Sequence, residues 1–325
     1  MLKIAFVGAG WANCMHASNL SRMEGVSLIA FQDIDESKAR SAAAQFGAKA
    51  YADSAQMLAS EKFDVLYVAV PPGAHGIELT AAQKGLPIFV EKPIAVSMQT
   101  AIEIAAAIEK SGVISSVGYH FRYLGACQKA KELLAGKTVG MILGYWMGGM
   151  PTVGWWRQMA LSGGQAVEQT THIFDLARWL VGEVKEVFAY HATRALQAVP
   201  KFDVWDVGTV GLQFDNGAVG TIQSSCIVEQ GFKAGLELVC KDLTLELDSS
   251  NRLRTIEPGR KEELSFSNEC YLDEDKAFIE AVKSGRRQGI LSSYQDALRT
   301  LGVTLAANRS AEAGRPVSLE EILKA

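Results

Sequence analysis

The segment from Met1 to Asp33 constrains the fold more than any other part of the chain. A β-rich run, Lys3 to Val7, leads into Gly8-Ala9-Gly10-Trp11-Ala12-Asn13, then a helical stretch from Cys14 to Met23. A second β-rich run, Ser27 to Gln32, delivers Asp33. Glycines at a strand-to-helix turn let a ligand approach the backbone, and the helix N-terminus presents N–H groups to a pyrophosphate. Asp33 lies about 20 residues past the loop, where a carboxylate accepts hydrogen bonds from the adenosine ribose. Its charge repels a 2′-phosphate, so the pattern favours NAD over NADP. The same glycines also fit a plain tight turn, with Asp33 capping the next helix. The order strand, loop, helix and acid selects the dinucleotide reading. Asn13 departs from the fingerprint by standing where a third glycine is usual. It is expected to hold helix and strand further apart or to leave an amide near the phosphates.

The alternation continues to about Arg122, with strands at Val65 to Val70, Ile88 to Val90 and Ile114 to Gly118. Helical stretches lie between the strands at Glu36 to Gln45, Ala74 to Lys84 and Met98 to Ser111. Right-handed crossovers then give a Rossmann-type parallel sheet, an α/β domain over 1–122. Beyond it the pattern becomes α+β. Helical stretches at Ala126 to Leu134 and Gly164 to Leu180 precede strands at Val184 to Thr193, Gly208 to Phe214, Ala218 to Ser225 and Leu243 to Leu247. Asp215-Asn216-Gly217 marks a hairpin, because Asn-Gly tolerates the positive φ of tight turns. The reading over 123–293 is a largely antiparallel sheet with helices. A last helix from Tyr294 to Ala313, stopped by Gly314, is expected to pack back on the first domain as part of 294–325.

Composition narrows the partners. At 325 residues and 48% hydrophobic the chain is too long for one compact core, which agrees with two domains. A formal net charge of −4 offers no basic surplus for nucleic acid or an anionic membrane. Cys14, Cys127, Cys226, Cys240 and Cys270 form no CxxC pair, so neither a disulfide framework nor a metal site is expected. No export signal precedes the first strand, and no run reaches the roughly 18 apolar residues of a membrane helix. A cytoplasmic protein is the expectation.

Two clusters carry candidate chemistry. Val90 leads into Glu91-Lys92-Pro93, placing a lysine at the carboxyl edge of the parallel sheet, where ligands of open α/β sheets bind. In Gly163-Gly164-Gln165-Ala166-Val167-Glu168-Gln169-Thr170-Thr171-His172, Glu168 and His172 are four apart and would share one helix face. A carboxylate there would fix the histidine tautomer and tune its basicity.

With these motifs the chain resembles the glucose-fructose oxidoreductase, inositol dehydrogenase and MocA-like family of NAD(P)-dependent sugar dehydrogenases over essentially its whole length. The resemblance rests on Val7-Gly8-Ala9-Gly10 with His16, Asp33, Ala69-Val70-Pro71-Pro72 with His75, Glu91-Lys92-Pro93, and Gly163-Gly164 leading to His172 and Asp175. It implies Lys92, His172 and Glu168 as the catalytic set, with Glu168 in place of the family's usual aspartate. His172 would take the hydroxyl proton while Lys92 hydrogen-bonds the developing alkoxide and hydride passes to the nicotinamide. It also implies a cis Lys92-Pro93 bond, and Pro71, His75, Glu91 and Lys92 as cofactor contacts beside Gly8, Gly10, Trp11, Ala12 and Asp33.

For the substrate, Tyr119, His120, Arg122, Trp155, Trp156 and Arg157 are candidate pocket walls, with Asp175 and Trp205-Asp206 possible additions. Indole faces suit sugar C–H surfaces, and the same paired tryptophans also suit core or interface filling. His191, in a strand, reads as structural. The family pairs the open sheet face with another subunit, so a homodimer or homotetramer is expected. A glycoside hydrolase that uses NAD transiently and a non-catalytic dinucleotide-binding regulator are the competing readings.

Overall fold

The computed structural model describes residues 1–324. The chain divides into two compact units. The first comprises Met1–Ile94, Thr100–Gly118 and Tyr271–Ala297, and the second comprises Ala95–Gln99, Tyr119–Cys270 and the chain from Leu298. The expected segments do not follow this division. Residues 271–293, expected in the second domain, belong to the first unit, and of the segment 294–325, expected against the first domain, 294–297 belong to the first unit and the chain from Leu298 to the second.

The first unit holds β1 (Leu2–Val7), β2 (Val26–Gln32), β3 (Lys49–Tyr51), β4 (Val65–Val68), β5 (Ile88–Val90) and β6 (Ser115–Val117). They form one sheet in the order β3-β2-β1-β4-β5-β6 with every pair parallel. Ile4 to Val7 and all of β4 are buried, since helices cover both faces of a parallel sheet. That is why these strands read as continuous apolar runs.

One face of the sheet carries a row of aromatic rings set by register. Phe6 lies opposite both Phe31 and Tyr67, and Tyr67 lies opposite Phe89. Phe6 and Phe31 stack at 4.5 Å between centroids, and Tyr67 and Phe89 at 4.7 Å. Phe278, on the helix Cys270–Ser284, meets Tyr67 and Phe89 edge-on at 5.7 and 5.6 Å. This contact explains why a helix so late in the sequence belongs to the first unit: its Phe278 closes the row.

The second unit is built on β7 (Val139–Met147), β8 (Val184–Ala192), β9 (Val207–Phe214), β10 (Val219–Ser225), β11 (Lys233–Cys240), β12 (Thr244–Asp248), β13 (Arg252–Glu257), β14 (Arg260–Ser265) and β15 (Val317–Ser318). The nine-stranded order is β14-β13-β12-β11-β7-β10-β9-β8-β15. The β10–β7 pair is parallel and its neighbours are antiparallel, as the α+β reading anticipated. The β9–β10 loop closes by Gly217 N–H donating to the Phe214 carbonyl at 3.0 Å, and Gly217 alone of Asp215-Asn216-Gly217 takes positive φ, +88°. A three-residue loop ending on a left-handed glycine accounts for the geometry. The helix Thr171–Val181 lies on this sheet over Gly144, where a Cβ would stand 2.7 Å from Ile173. Among the described residues, no helix is long and apolar enough to cross a membrane.

Phe278→Ala should destabilise the first unit by about 3–5 kcal/mol, since it empties the end of a close-packed aromatic row. Urea denaturation of wild type and variant, followed by far-UV circular dichroism, measures the difference, and a loss below about 1 kcal/mol would show that the row does not depend on this ring.

Candidate active site

In the first unit β1 turns sharply at Gly8. Its φ is +87°, and a Cβ there would overlap the Ala69 carbonyl that follows β4. At Gly10, by contrast, a Cβ would meet nothing within 4 Å, so space lies open over the start of the helix Trp11–Leu20. That helix begins with no side-chain cap and no acid in its first turn. An uncapped N-terminus of this kind suits a phosphate anion.

Asn13 does neither of the things expected of it. Its amide turns inward and donates to the carbonyls of Val7 and Gly8 at 2.8 and 2.7 Å, fastening the helix to the end of β1. Asp33 also differs from the helix-cap alternative, because Asp35 caps the helix Glu36–Phe46. Asp33 accepts instead from the backbone N–H of Ala9 at 2.8 Å and of Asp35 at 2.9 Å. Each oxygen keeps acceptor capacity for a ribose hydroxyl. Loop, open helix start and acid therefore fit an adenine dinucleotide. Trp11 is exposed, with its indole edge-on to Tyr271 at 6.0 Å.

After β4 the chain passes Pro71 and a short turn, Pro72–Ala74, to His75. His75 Nδ1 lies 2.5 Å from Glu78 Oε1, and Gly76 N–H donates to Glu78 Oε2 at 2.8 Å. Burial raises the Glu78 carboxyl, but the charge and hydrogen bond of His75 bring it below its ordinary value. The remaining ring nitrogen, Nε2, is buried without a hydrogen-bond partner, as a group awaiting a ligand would be. β5 ends at Val90 and delivers Glu91, Lys92 and a cis Lys92-Pro93 bond, as the resemblance implied. Glu91 is buried and faces inward: Oε1 lies 3.0 Å from His16 Nε2, and Oε2 accepts the Lys92 backbone N–H at 3.0 Å. Both of its oxygens are thus engaged within the first unit.

In the second unit His172 is buried among aromatic rings. Phe121 and Trp146 stack on the imidazole at 4.8 and 5.7 Å, while His120 and Tyr119 meet it edge-on at 4.7 and 6.0 Å. These rings fix its plane. Phe121 and Trp146 escaped the sequence reading, because nothing in their spacing ties them to His172.

The expected single helix through Glu168 and His172 is broken. One helix spans Gly164–Glu168 and the next begins at Thr171, so the four-residue spacing does not put the two side chains on one continuous face. Glu168 accepts a hydrogen bond from Trp156 Nε1 at 2.8 Å. Trp156 itself is wholly buried with Val204 and Cys226 and is core, not pocket wall, whereas Trp155 and Arg157 are half-buried.

Three further candidates, Arg122, Asp175 and Asp206, are engaged within the second unit. Arg122 and Asp175 face each other in a buried bidentate pair, Nε to Oδ2 at 2.7 Å and Nη2 to Oδ1 at 2.6 Å, and Thr300 donates to Asp175 at 2.9 Å. Their charges meet each other out of water. Tyr119 O–H pairs with the Thr171 hydroxyl at 2.9 Å. Asp206 is buried and accepts backbone N–H groups of Arg194, Ala195 and Leu196, so it builds a turn instead of reaching a cleft. His191 packs on Trp205 at 4.9 Å, and burial pushes its imidazole down to about 4, in keeping with a structural role.

Comparison with known proteins places this arrangement. Residues 2–119 match the GFO_IDH_MocA family, described as "Oxidoreductase family, NAD-binding Rossmann fold", and residues 127–246 match the GFO/IDH/MocA C-terminal domain. The chain is 27% identical to myo-inositol 2-dehydrogenase of Thermotoga maritima, covering 99% of this chain and 100% of that one. It is 25% identical to scyllo-inositol 2-dehydrogenase (NAD(+)) of Bacillus subtilis, covering 98% and 96%. Among solved structures it is similar to GenD2 from gentamicin A biosynthesis in complex with NAD, with a TM-score of 0.85, 27% identity, and coverage of 98% and 96%. Matched in both its dinucleotide-binding and its C-terminal parts, the chain belongs to the GFO/IDH/MocA oxidoreductase family.

Proposed function

We propose that the chain is an NAD-dependent dehydrogenase that moves a hydride between the nicotinamide ring and a secondary alcohol or ketone of a sugar, inositol or related polyol. One observation carries the reading. Parallel β1 and β5 end at the same sheet edge, so the loop of Gly8 and Gly10 and the lysine of Glu91-Lys92-Pro93 emerge together. Gly8, Gly10, Trp11, Ala12 and Asp33 would hold the dinucleotide, with Pro71 and His75 beside it. The inositol dehydrogenases among its full-length relatives support a cyclic polyol as the substrate class.

When bound, NAD supplies the hydride acceptor. The chain's own residues do the rest. Lys92 donates a hydrogen bond to the substrate oxygen and is worth most as alkoxide charge grows there, in a site that excludes water. His172 takes the hydroxyl proton, a contribution of about 10²- to 10⁴-fold. Glu168, held by Trp156, helps to orient the substrate.

We also propose a homodimer or homotetramer formed through the outer sheet face. Met141 lies beside Val219, and Leu143 beside Thr221, and three of these four are exposed apolar side chains. Tyr190 extends the patch across β9. A cytoplasmic setting suits the five cysteines, none of which pairs with another.

Lys92→Met should lower kcat at least about 10²-fold with NAD affinity nearly unchanged, measured by NADH formation with inositols and aldoses and by calorimetric titration; normal turnover would remove Lys92 from the chemistry. Asp33→Ala should weaken NAD and narrow its advantage over NADP. Unchanged affinities for both would leave Asp33 only its loop contacts. Leu143→Arg should shift the mass in light scattering towards the monomer, and an unaltered oligomer would place the interface elsewhere.

A further inference from the structure

His16 lies on the helix Trp11–Leu20, whose first turn opens onto the proposed cofactor site, and it is fully buried. Its Nδ1 is 2.8 Å from Asp275 Oδ1 and its Nε2 is 3.0 Å from Glu91 Oε1. An ionised carboxylate only accepts hydrogen bonds, so both contacts are satisfied together only when both ring nitrogens carry hydrogen. Burial works against that charge, but the charge and hydrogen bond of Asp275, with those of Glu91, lift the imidazole well above its ordinary value. The geometry and the electrostatics agree on a buried imidazolium.

Everything around it holds it in place. Asp275 also accepts from Asn19 Nδ2 at 2.9 Å and from Tyr67 O–H at 3.2 Å. The Phe89 ring lies 4.7 Å from the imidazole and that of Tyr271 6.3 Å. On the other side, Gly118 leaves room for Glu91, since a Cβ there would stand 2.6 Å from its Oε1. Glu274, next to Asp275 and fully buried, is the remaining titratable group; burial, together with the charges of Glu91 and Asp275 and against that of His16, raises its carboxyl well above the ordinary range. His16, Glu91 and Glu274 also offer ligand atoms within 4.8 Å of one another, and both His16 nitrogens are already engaged, Nε2 with Glu91 and Nδ1 with Asp275.

We propose that His16 is a positioning residue: locked by Asp275, it fixes Glu91, and Glu91 fixes the backbone at Lys92 through the bond from the Lys92 N–H to Oε2. Three parts of the chain, the cofactor-loop helix, the lysine loop and the helix Cys270–Ser284, are joined in this way. Asp275 is 259 residues from His16. The inference rests on the role given to Lys92 above.

Asp275→Asn keeps the shape but removes the charge that most strongly holds the His16 proton. The expected result is a fall in kcat of about 10²-fold, the scale of a displaced catalytic group, with the Kd for NAD within a factor of about three. The alkaline limb of the kcat profile should move to lower pH than in wild type, because the imidazolium then loses its proton sooner. A purely structural role would lower the melting temperature and leave the pH profile of the folded enzyme where it was, and that result would overturn the proposal.

A second measurement does not depend on the variant folding. Nitrogen-15 histidine spectra of the wild-type protein at neutral pH should show one ring with two exchange-protected N–H groups. A neutral His16 ring would overturn the proposal. The two readings fail separately: active Lys92→Met with the imidazolium present sinks the role of Lys92, whereas inactive Lys92→Met with a neutral His16 sinks only the positioning role.

Discussion

The turn at Gly8 admits no side chain, because the backbone of the first strand and the carbonyl of Ala69 approach too closely for a Cβ. The rest of the first unit is arranged around this approach. It brings the glycine loop against the segment that runs from Ala69 to His75, and Asn13 then fastens the helix to the same strand end with two hydrogen bonds. Asp33 ties the second strand to the loop through the Ala9 N–H. An anion cradle is useful only if its donors are held before the ligand arrives, and here backbone and side-chain contacts do the holding.

The second unit uses buried charge differently. Asp175 is shared between Arg122 and Thr300, and Arg178 meets both Thr300, at 2.7 Å, and Glu183. Ion pairs out of water gain little over an apolar core, yet removing one partner strands the other at a cost of several kcal/mol. Their evident effect is to fix the helix Thr171–Val181 in rotation, and that helix carries His172 into its ring of aromatic neighbours. Gly144 beneath Ile173 fixes its height above the sheet. Rotation and height together set where the imidazole stands.

Most of the architecture was legible in the sequence because it is local. Strand, glycine loop, helix and acid occur within one stretch, and continuous apolar runs such as Ile4 to Val7 mark strands covered on both faces. What escaped was pairing at a distance. Nothing near Trp156 announces that it fills a core with Val204 and Cys226, and nothing near Arg122 announces that Asp175 absorbs its charge. The break after Glu168 was hidden by good helical spacing on either side of it. The inward turn of Asn13 could have been anticipated, since a buried amide beside two strand-end carbonyls has acceptors at hand. Helix Cys270–Ser284 was missed as a member of the first unit because its reason for being there, a ring that completes a row begun at Phe6, lies more than two hundred residues upstream.

That late helix also governs the order in which the protein can be made. A ribosome releases the six parallel strands long before it releases Phe278 and Asp275. Until then the nascent sheet has an uncovered aromatic flank and a buried-to-be histidine without its carboxylate. Domains commonly fold as they emerge, the earlier one first. Here the contacts that complete the amino-terminal sheet come from residues made after the strands β7 to β14, so the first unit can be completed only late in synthesis.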